Sequence, residues 1–490
     1  MTKANNLQYK RFYRMVPLPS VAVLLLLFFV PLFFTLSSAF ITEVGLTFLR
    51  VLEVFTDSYT VKIMLFTLWQ ATLSTLFSLL VALPGAYLIA TYSFRGKRLI
   101  LALSAIPFVI PSILVVLGFV IFFGNNGFLN RMLMSLFNLS EPPLKILYSF
   151  KAIILAHTFY NFPIIMSLVS SYWEHLDGNC ESASQTLGAN KVQTFLRVTL
   201  PRLLPAIISA ASLVFLFCFN SFAIILVLGG GPQYTTMEVE IYRQARMLGN
   251  SGAAAALSLF SILTTTLLLL WYNASQRRLA RSETYQNSKR LLEKRPATLS
   301  GKLLALFYTV SSFLFILGPI ASVVIRSFMA SSSRSAAESF SLKWYRQLLS
   351  LERATGHMGS ALGALTNSTL IALLVALCTV PVALSMCIAI RRREGKQSFL
   401  ELLGMLPMTV SSVIIGLGYY LISARLRGGL TLSYTLVVLA HLVIAIPFVL
   451  RTILPEYRKI PLSYMHSSLT LGAGPVKTFL LIELPLLKGA

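Results

Sequence analysis

The chain has 490 residues, of which 56% are hydrophobic and 12% are charged, and its mean hydropathy is +0.76. Soluble domains carry about 25% charged residues, so this composition excludes a soluble globular protein and predicts an all-α, polytopic membrane protein. The net charge of +24 does not indicate a nucleic-acid partner, because basic residues accumulate in the cytoplasmic loops of membrane proteins.

The first apolar run, residues 16–40, is longer than the apolar region of a secretory signal, which has about 7 to 15 residues. We therefore predict that it is retained as the first helix. A membrane-spanning helix needs roughly 20 apolar residues. Runs of this kind predict further spans at 63–92, 99–123, 147–172, 203–228, 252–272, 303–325, 363–390, 399–422 and 432–450. Residues 326–362 are predicted to form an outer loop, with a short helix around Trp344 and Tyr345.

The basic residues predict the orientation of these spans. If the N-terminus lies in the cytoplasm, the inner segments hold 27 of the 41 Lys and Arg residues and 9 of the 17 Asp and Glu residues. A bias that is confined to Lys and Arg is the signature of the positive-inside rule. We therefore expect a cytoplasmic N-terminus and a basic cytoplasmic linker at 276–301, which we expect to lie along anionic lipid headgroups.

The two halves of the chain repeat one pattern at a constant offset of 284 residues. Leu-Gly-Ala at 187–189 recurs at 471–473, and Leu-Pro at 200–201 recurs at 484–485. Because one offset relates several separate matches, we infer an internal duplication.

The duplication predicts a first repeat at 1–275, with six helices, and a second repeat at 302–490, with four complete helices. The second repeat ends at Ala490, which is equivalent to residue 206, so we expect a truncated eleventh helix and no counterpart of the last one. The duplicated pattern lies in two cytoplasmic loops, which we name loop 1 (174–205) and loop 2 (455–488).

Both loops combine small residues, a glycine and a closing Leu-Pro, which predicts a short helix, a turn and a second helix. Small side chains at Ala183 and Ser184 would let another protein approach the backbone closely. Gly188 permits the turn, and Pro201 resets the chain where it re-enters the membrane.

These loops resemble the EAA loop of importer-type ABC transporter permeases, in which E-A-A-x-x-x-G is followed by I-x-L-P. The glutamate slot of the motif holds Ser182 in loop 1, with Glu181 one place earlier, and His466 in loop 2. The resemblance implies two fused permease repeats in a bacterial inner membrane. It implies docking of both loops on a cytosolic ATPase dimer, which would bind ATP and Mg, while this chain binds no cofactor. It assigns this coupling role to Glu181, Ser182, Ala183, Ser184, Leu187, Gly188, Ala189, Leu200, Pro201, His466, Ser467, Ser468, Leu471, Gly472, Ala473, Leu484 and Pro485.

Two further stretches resemble the permeases of thiamine importers. One is Leu-Ala-His-Thr-Phe-Tyr-Asn-Phe-Pro at 155–163, and the other runs from Phe219 through the glycines at 229–231 to Tyr242. The resemblance implies that a periplasmic or lipid-anchored binding protein delivers thiamine, or a thiamine phosphate. Ferric-iron permeases share the fused layout and are the alternative. Thiamine is an aromatic cation, for which ring-lined contacts are suitable, and this predicts a path that includes Phe159, Tyr160, Phe219 and Phe222.

His157 and His441 are the ionisable residues deepest in the predicted spans. Such residues are candidates for function, but these two occupy equivalent positions in the repeats, which favours hydrogen-bonded packing roles. The four cysteines show no metal-ligand spacing, so no metal site is predicted.

The sequence offers no chemistry for an enzyme or for ATP binding. The spans contain no carboxylate pair, metal cluster or Ser/Lys dyad. Gly-Ala-Gly-Pro-Val-Lys-Thr at 472–478 resembles a phosphate-binding loop, but Val476 replaces the glycine that such a loop needs. A channel or secondary transporter would usually carry intramembrane charges or inverted repeats, whereas these repeats are parallel. We therefore predict a transport subunit that depends on a separate ATPase.

Overall fold

The computed structural model describes residues 15–42, 45–94, 96–176, 178–229, 231–285, 295–296, 299–332, 335–349, 361–391, 399–426 and 430–487. Helices account for most of these residues, which confirms the all-α prediction. The N-terminal basic residues up to Arg14 and most of the linker, 286–294 and 297–298, lie outside the described part of the chain.

The α-helices of seven or more residues include one or more in each predicted apolar run, and others lie between the runs. In chain order all of these α-helices are Pro17–Leu24, Val30–Phe40, Leu49–Thr56, Ser58–Thr91, Lys97–Val109, Ser112–Phe123, Phe128–Phe137, Phe150–Glu174, Asn179–Thr186, Leu200–Phe219, Ser251–Tyr285, Leu299–Ser327, Lys343–Leu349, Ala361–Arg391, Phe399–Met405, Ser412–Leu426, Leu430–Lys459 and Leu462–Thr470.

Shorter elements join these helices. The short α-helices are Lys191–Thr194, Ala223–Leu228, Met237–Tyr242, Pro475–Thr478 and Leu484–Leu486. The 3-10 turns are Pro232–Tyr234 and Leu406–Thr409, and the π-helical turns are Leu25–Phe29, Phe195–Thr199, Arg243–Met247 and Phe479–Glu483. The antiparallel strand pairs are Ile41–Thr42 with Gly45–Leu46 and Met329–Ser332 with Ser335–Phe340, and the parallel pair is Tyr92–Ser93 with Arg295–Pro296.

Among the described residues, nine helices are long and apolar enough to cross a membrane, and a bent pair, Phe399–Thr409 with Ser412–Leu426, raises the number to ten if it is one span. This agrees with the prediction of about ten membrane-spanning helices. The short helix predicted around Trp344 and Tyr345 is also confirmed, as Lys343–Leu349. The hairpin that precedes it, Met329–Phe340, was not expected from its Ser- and Ala-rich sequence.

Three predicted spans are interrupted, so their prediction as continuous helices was wrong. The run at 99–123 breaks between Val109 and Ser112, and the run at 399–422 bends by 88° between Thr409 and Ser412. The run at 203–228 breaks between Phe219 and Ala223. A proline lies at each of the first two breaks: Pro111 directly precedes the helix Ser112–Phe123, and Pro407 lies in the 3-10 turn Leu406–Thr409. Proline has no backbone N–H to donate to a continuing helix.

Polar caps fix where several helices begin. The Asp57 carboxylate accepts hydrogen bonds from the backbone N–H of Thr60 (2.9 Å) and from its hydroxyl (3.0 Å), and these bonds lower the pKa of Asp57 below its usual value. They satisfy donors that the first turn of Ser58–Thr91 would leave unpaired. Ser149 caps Phe150–Glu174 in the same way.

The chain forms two compact units that are not contiguous in sequence. Compact unit 1 comprises Met1–Val54, Ile241–Ile262 and Leu348–Ala490, and compact unit 2 comprises Phe55–Glu240 and Leu263–Gln347. Loop 1 belongs to compact unit 2 and loop 2 belongs to compact unit 1. The division into repeats at 1–275 and 302–490 remains a prediction from the sequence.

A glycine-on-proline helix crossing occurs within each compact unit. In unit 1 a Cβ on Gly418 would lie 2.5 Å from the carbonyl oxygen of Pro31. In unit 2 a Cβ on Gly118 would lie 2.8 Å from the carbonyl oxygen of Pro319. Gly118 lies in helix Ser112–Phe123 and Gly418 in helix Ser412–Leu426. In each unit, therefore, the absence of a side chain lets a proline-containing helix pack directly on its neighbour.

Candidate functional site

Loop 1 is a helix–turn–helix whose turn is formed by glycine. The first helix, Asn179–Thr186, ends before Gly188, whose φ of 87° is in the left-handed region that favours glycine. Asn190 then caps Lys191–Thr194: its side chain accepts from Gln193 N–H, and the Gln193 side chain accepts from Asn190 N–H. This capping box starts the second helix directly after the turn.

Loop 2 has the same architecture in compact unit 1. Its first helix, Leu462–Thr470, ends before Gly472, whose φ is 82°. A second helix starts at Pro475 and passes through a π-helical turn, Phe479–Glu483, as loop 1 does at Phe195–Thr199. The two loops therefore agree in geometry as well as in sequence.

One hydrogen bond clamps the two arms of each loop. Ser184 Oγ and Thr194 Oγ1 are 2.8 Å apart in loop 1, and Ser468 Oγ and Thr478 Oγ1 are 2.8 Å apart in loop 2. Both threonines are buried. They were not among the predicted site residues, although their identity at the repeat offset of 284 was a visible signal.

The tip of each loop presents an exposed leucine beside the glycine. Leu187 is 88% exposed and Leu471 is 87% exposed, and no atom lies within 4 Å of a Cβ built on Gly188 or Gly472. A leucine that is almost fully exposed at the same place in both loops has no packing role within the described residues. It is suited to burial against another protein.

Each loop has one carboxylate with a hydroxyl partner, but the carboxylate occupies a different position in the two loops. In loop 1, Thr199 Oγ1 donates to Glu181 Oε1 at 2.7 Å. At the equivalent positions, loop 2 has Met465 for Glu181 and Glu483 for Thr199. Glu483 is fully buried and accepts a hydrogen bond from the Tyr457 hydroxyl.

The remaining predicted coupling residues surround these contacts. Ser182, Ala183 and Ser467 are exposed, and Ala189 and Ala473 are half-buried. Leu200 with Pro201, and Leu484 with Pro485, begin the helices that follow the π-helical turns. His466 lies in helix Leu462–Thr470, and its side chain lies outside the described part of the chain.

A groove of about 740 Å³ lies beside loop 1 in compact unit 2. Its walls include the aromatic side chains of Tyr87, Trp173 and Phe195, and the polar side chains of Glu181 and Gln185. Trp173 stacks on Phe195 with ring centroids 5.9 Å apart. The stacked pair connects the end of helix Phe150–Glu174 to the π-helical turn, so movement of the loop would be transmitted to that helix.

The four predicted path aromatics occupy two kinds of environment. Phe159 and Phe219 are fully buried; Phe159 packs edge-on against Phe119 at 5.4 Å, and Phe219 stacks on Phe215 at 6.3 Å. Tyr160 and Phe222 are half-buried, and their rings present surface in this conformation.

The two histidines have different surroundings despite their equivalent positions. His157 is 1% exposed, and its Nδ1 lies 2.9 Å from Ser74 Oγ. Asn161 Nδ2 donates to the His157 carbonyl at 2.8 Å. His441 is exposed, and its Nδ1 lies 2.8 Å from the Val437 carbonyl oxygen of its own helix. The contact of His157 with Ser74 of another helix agrees with a packing role. The hydrogen bond described for His441 lies within its own helix.

Replacing His157 by glutamine should leave substrate uptake within about threefold of wild type, because an amide can still bond to Ser74 and one hydrogen bond contributes only about 1 kcal/mol. Uptake into cells, normalised to the amount of inserted protein, tests this, with His441→Gln as the control. Loss of uptake by a normally inserted His157→Gln protein would mean that His157 acts on substrate.

Comparison with known proteins supports the class that the two loops indicate. The family model for the binding-protein-dependent transport system inner membrane component matches residues 82–281. The chain therefore carries, at residues 82–281, a domain similar to the membrane component of importer-type ABC transporters. The relatives named below are transport subunits rather than enzymes. The chain is a multi-pass protein of the inner membrane.

Its similarity to one kind of permease extends over most of the chain. The thiamine transport system permease protein ThiP of Brucella abortus (strain 2308) is 27% identical over 402 residues, which cover 82% of this chain and 70% of the relative. ThiP of Escherichia coli (strain K12) is 26% identical over 441 residues, which cover 89% of this chain and 77% of the relative. A bacterial ABC transporter involved in the import of alginate superimposes with a TM-score of 0.46 and 21% identity, over 55% of this chain and 95% of that one.

Proposed function

We propose that this chain forms the membrane path of an ATP-driven importer of thiamine or a thiamine phosphate. The proposed substrate rests on the similarity to ThiP permeases over more than four fifths of the chain. The half-buried rings of Tyr160 and Phe222 are suitable for an aromatic cation. These relatives give the ferric-iron alternative no support.

The partners follow from the two loops. Each loop presents the same exposed leucine beside a left-handed glycine, so each would dock on one copy of a cytosolic ATPase dimer. ATP and Mg would be bound by those ATPases. A periplasmic or lipid-anchored binding protein would deliver substrate to the opposite side of the membrane. This arrangement requires a cytoplasmic N-terminus, as the distribution of Lys and Arg predicts.

Transport would depend on two states of the permease that bind substrate differently. ATP binding would draw the two ATPases, and with them loops 1 and 2, together. The rigid contacts within each loop, Ser184 with Thr194 and Ser468 with Thr478, would transmit this movement to the membrane helices. ATP hydrolysis would then restore the first state.

The proposal is tested by measuring uptake of labelled thiamine into cells that express the chain with its cognate binding protein and ATPase. Uptake of labelled ferric iron is measured in parallel. We expect ATP-dependent accumulation of thiamine and none of iron. Accumulation of iron alone would replace the proposed substrate by the alternative. A protein that inserts normally, stimulates its ATPase and moves neither solute would show that the substrate assignment is wrong.

A further inference from the structure

A lipid-sized groove lies in compact unit 2, away from loop 1. It has a volume of about 560 Å³ and lies between helices Ser58–Thr91, Phe150–Glu174 and Leu299–Ser327. Its walls are almost entirely apolar and are formed mainly by Phe77, Val81, Leu155, Phe162 and Phe315. Neither the coupling mechanism nor the predicted substrate path uses these walls.

The depth of the groove matches one leaflet of a bilayer. It extends along helix Phe150–Glu174 from Lys151 to Phe162, and eleven residues at 1.5 Å each span about 17 Å. The hydrocarbon core of a bilayer is about 30 Å thick, so one leaflet is about 15 Å. The groove therefore runs from the end of the helix to the level of the membrane centre.

Aromatic rings mark the outer end of the groove as the membrane interface. Phe66, Phe150 and Tyr234 form a cluster there, with ring centroids 5.8 to 6.2 Å apart. Tyrosine and tryptophan concentrate at the level of the lipid headgroups, and Tyr234 stacks on Phe150 in this cluster. Lys151, the next residue after Phe150, is therefore placed at headgroup depth.

The inner end of the groove is closed by fixed contacts. The Tyr308 hydroxyl donates to the Val81 carbonyl oxygen at 3.0 Å, and its ring lies where a side chain on Gly85 would overlap it. Phe162 and Phe315 pack beside it with ring centroids 6.1 Å apart. The groove is thus preformed, and binding an acyl chain requires no rearrangement of its floor.

The mouth of the groove carries one positive charge. Lys151 is exposed, and its ammonium forms no ion pair with a carboxylate among the described residues. An ammonium at headgroup depth above an apolar slot matches a lipid phosphate above its acyl chain. The charge favours a lipid with net negative charge over a zwitterionic one, whose own ammonium would compete for the phosphate.

We propose that this groove binds one acyl chain of an anionic glycerophospholipid, with the lipid phosphate at Lys151. The lipid would hold helix Leu299–Ser327 against the two other helices of the groove in the leaflet where helix Phe150–Glu174 begins. This site is independent of the transported substrate, so it stands whether or not the chain carries thiamine.

Native mass spectrometry of the purified full chain tests the site. The protein is first exchanged into detergent that contains equal amounts of phosphatidylglycerol and phosphatidylethanolamine with identical acyl chains. We expect the wild type to retain one phosphatidylglycerol. Ser311→Trp, which fills the groove from an exposed lining position, should lose it. Val310→Trp, which is one residue away, 56% exposed and outside the lining, should keep it.

A second pair of variants tests the proposed contact between Lys151 and the lipid phosphate. Lys151→Gln should reduce the ratio of retained phosphatidylglycerol to phosphatidylethanolamine about fivefold, as expected for one basic residue near a lipid phosphate. Lys145→Gln, on the exposed segment before the same helix, should leave the ratio unchanged. Equal lipid retention by Ser311→Trp and Val310→Trp would overturn the acyl-chain site. An unchanged lipid ratio in Lys151→Gln would overturn the headgroup assignment, even if the tryptophan variants failed to fold.

Discussion

Replacing Gly188 by valine should reduce ATP-dependent uptake by about tenfold or more while leaving insertion normal. The φ of Gly188 is 87°, and a β-branched residue held in the left-handed region costs about 1 to 3 kcal/mol. Because no atom lies within 4 Å of a Cβ at this position, the effect would come from the backbone of the turn rather than from a collision. Uptake and substrate-stimulated ATPase activity, measured with the ATPase present, check the prediction.

Two controls separate the turn from the mere addition of a side chain. Gly188→Asn should retain most of the activity, because asparagine tolerates the left-handed conformation better than other residues. Gly474→Ala, in loop 2 at a position with an ordinary φ of −72° and open surroundings, should be close to wild type. If Gly188→Val resembled Gly474→Ala in both assays, the shape of the turn would not matter for coupling.

Replacing Gly418 by leucine should destabilise compact unit 1 strongly. The new Cβ would lie 2.5 Å from the Pro31 carbonyl oxygen and 2.8 Å from its carbonyl carbon. These atoms belong to a helix backbone, which cannot move aside as the end of a side chain can. Overpacking costs about 1 to 3 kcal/mol, so the thermal midpoint in detergent should fall by about 5 °C or more.

Gly416→Leu is the matched control, because it lies two residues away on the same helix and has no atom within 4 Å of its Cβ position. Its melting temperature should stay close to that of the wild type. Melting curves from fluorescence-detected size-exclusion chromatography are suitable for both variants. Equal midpoints for Gly416→Leu and Gly418→Leu would show that the helices do not touch at Pro31.

The sequence alone predicted where the membrane helices lie, but it did not predict where some of them break. Hydropathy identifies an apolar run whether or not its hydrogen bonding is continuous, so 399–422 was predicted as one helix, although it bends by 88°. The presence of a proline does not by itself predict a break, because Pro163 lies inside an unbroken helix, Phe150–Glu174. Neighbouring helices decide whether a membrane proline breaks a helix, and they are not visible in a local pattern.

The same distinction applies to the candidate site. The turn at Gly188 and its copy at Gly472 could be predicted, because small residues and glycine dictate local geometry. The pairing of Glu181 with Thr199 could not, since it depends on how a π-helical turn folds back on the first helix of the loop. The burial of Phe159 was hidden for a related reason, because aromatic composition does not show which rings face each other.

Loop 1 has its carboxylate at Glu181, whereas loop 2 has its carboxylate at Glu483, the position equivalent to Thr199. One loop therefore cannot simply replace the other. If the first helix of loop 1 were transplanted into loop 2, Glu181 would replace Met465 and would bring a second carboxylate towards the buried Glu483. Two carboxylates in one buried site repel each other. The opposite transplant would leave Thr199 facing a methionine. We therefore expect that Glu181 and Thr199 can be transferred between the loops only together, because each loop places its carboxylate at a different position and pairs it with a different hydroxyl.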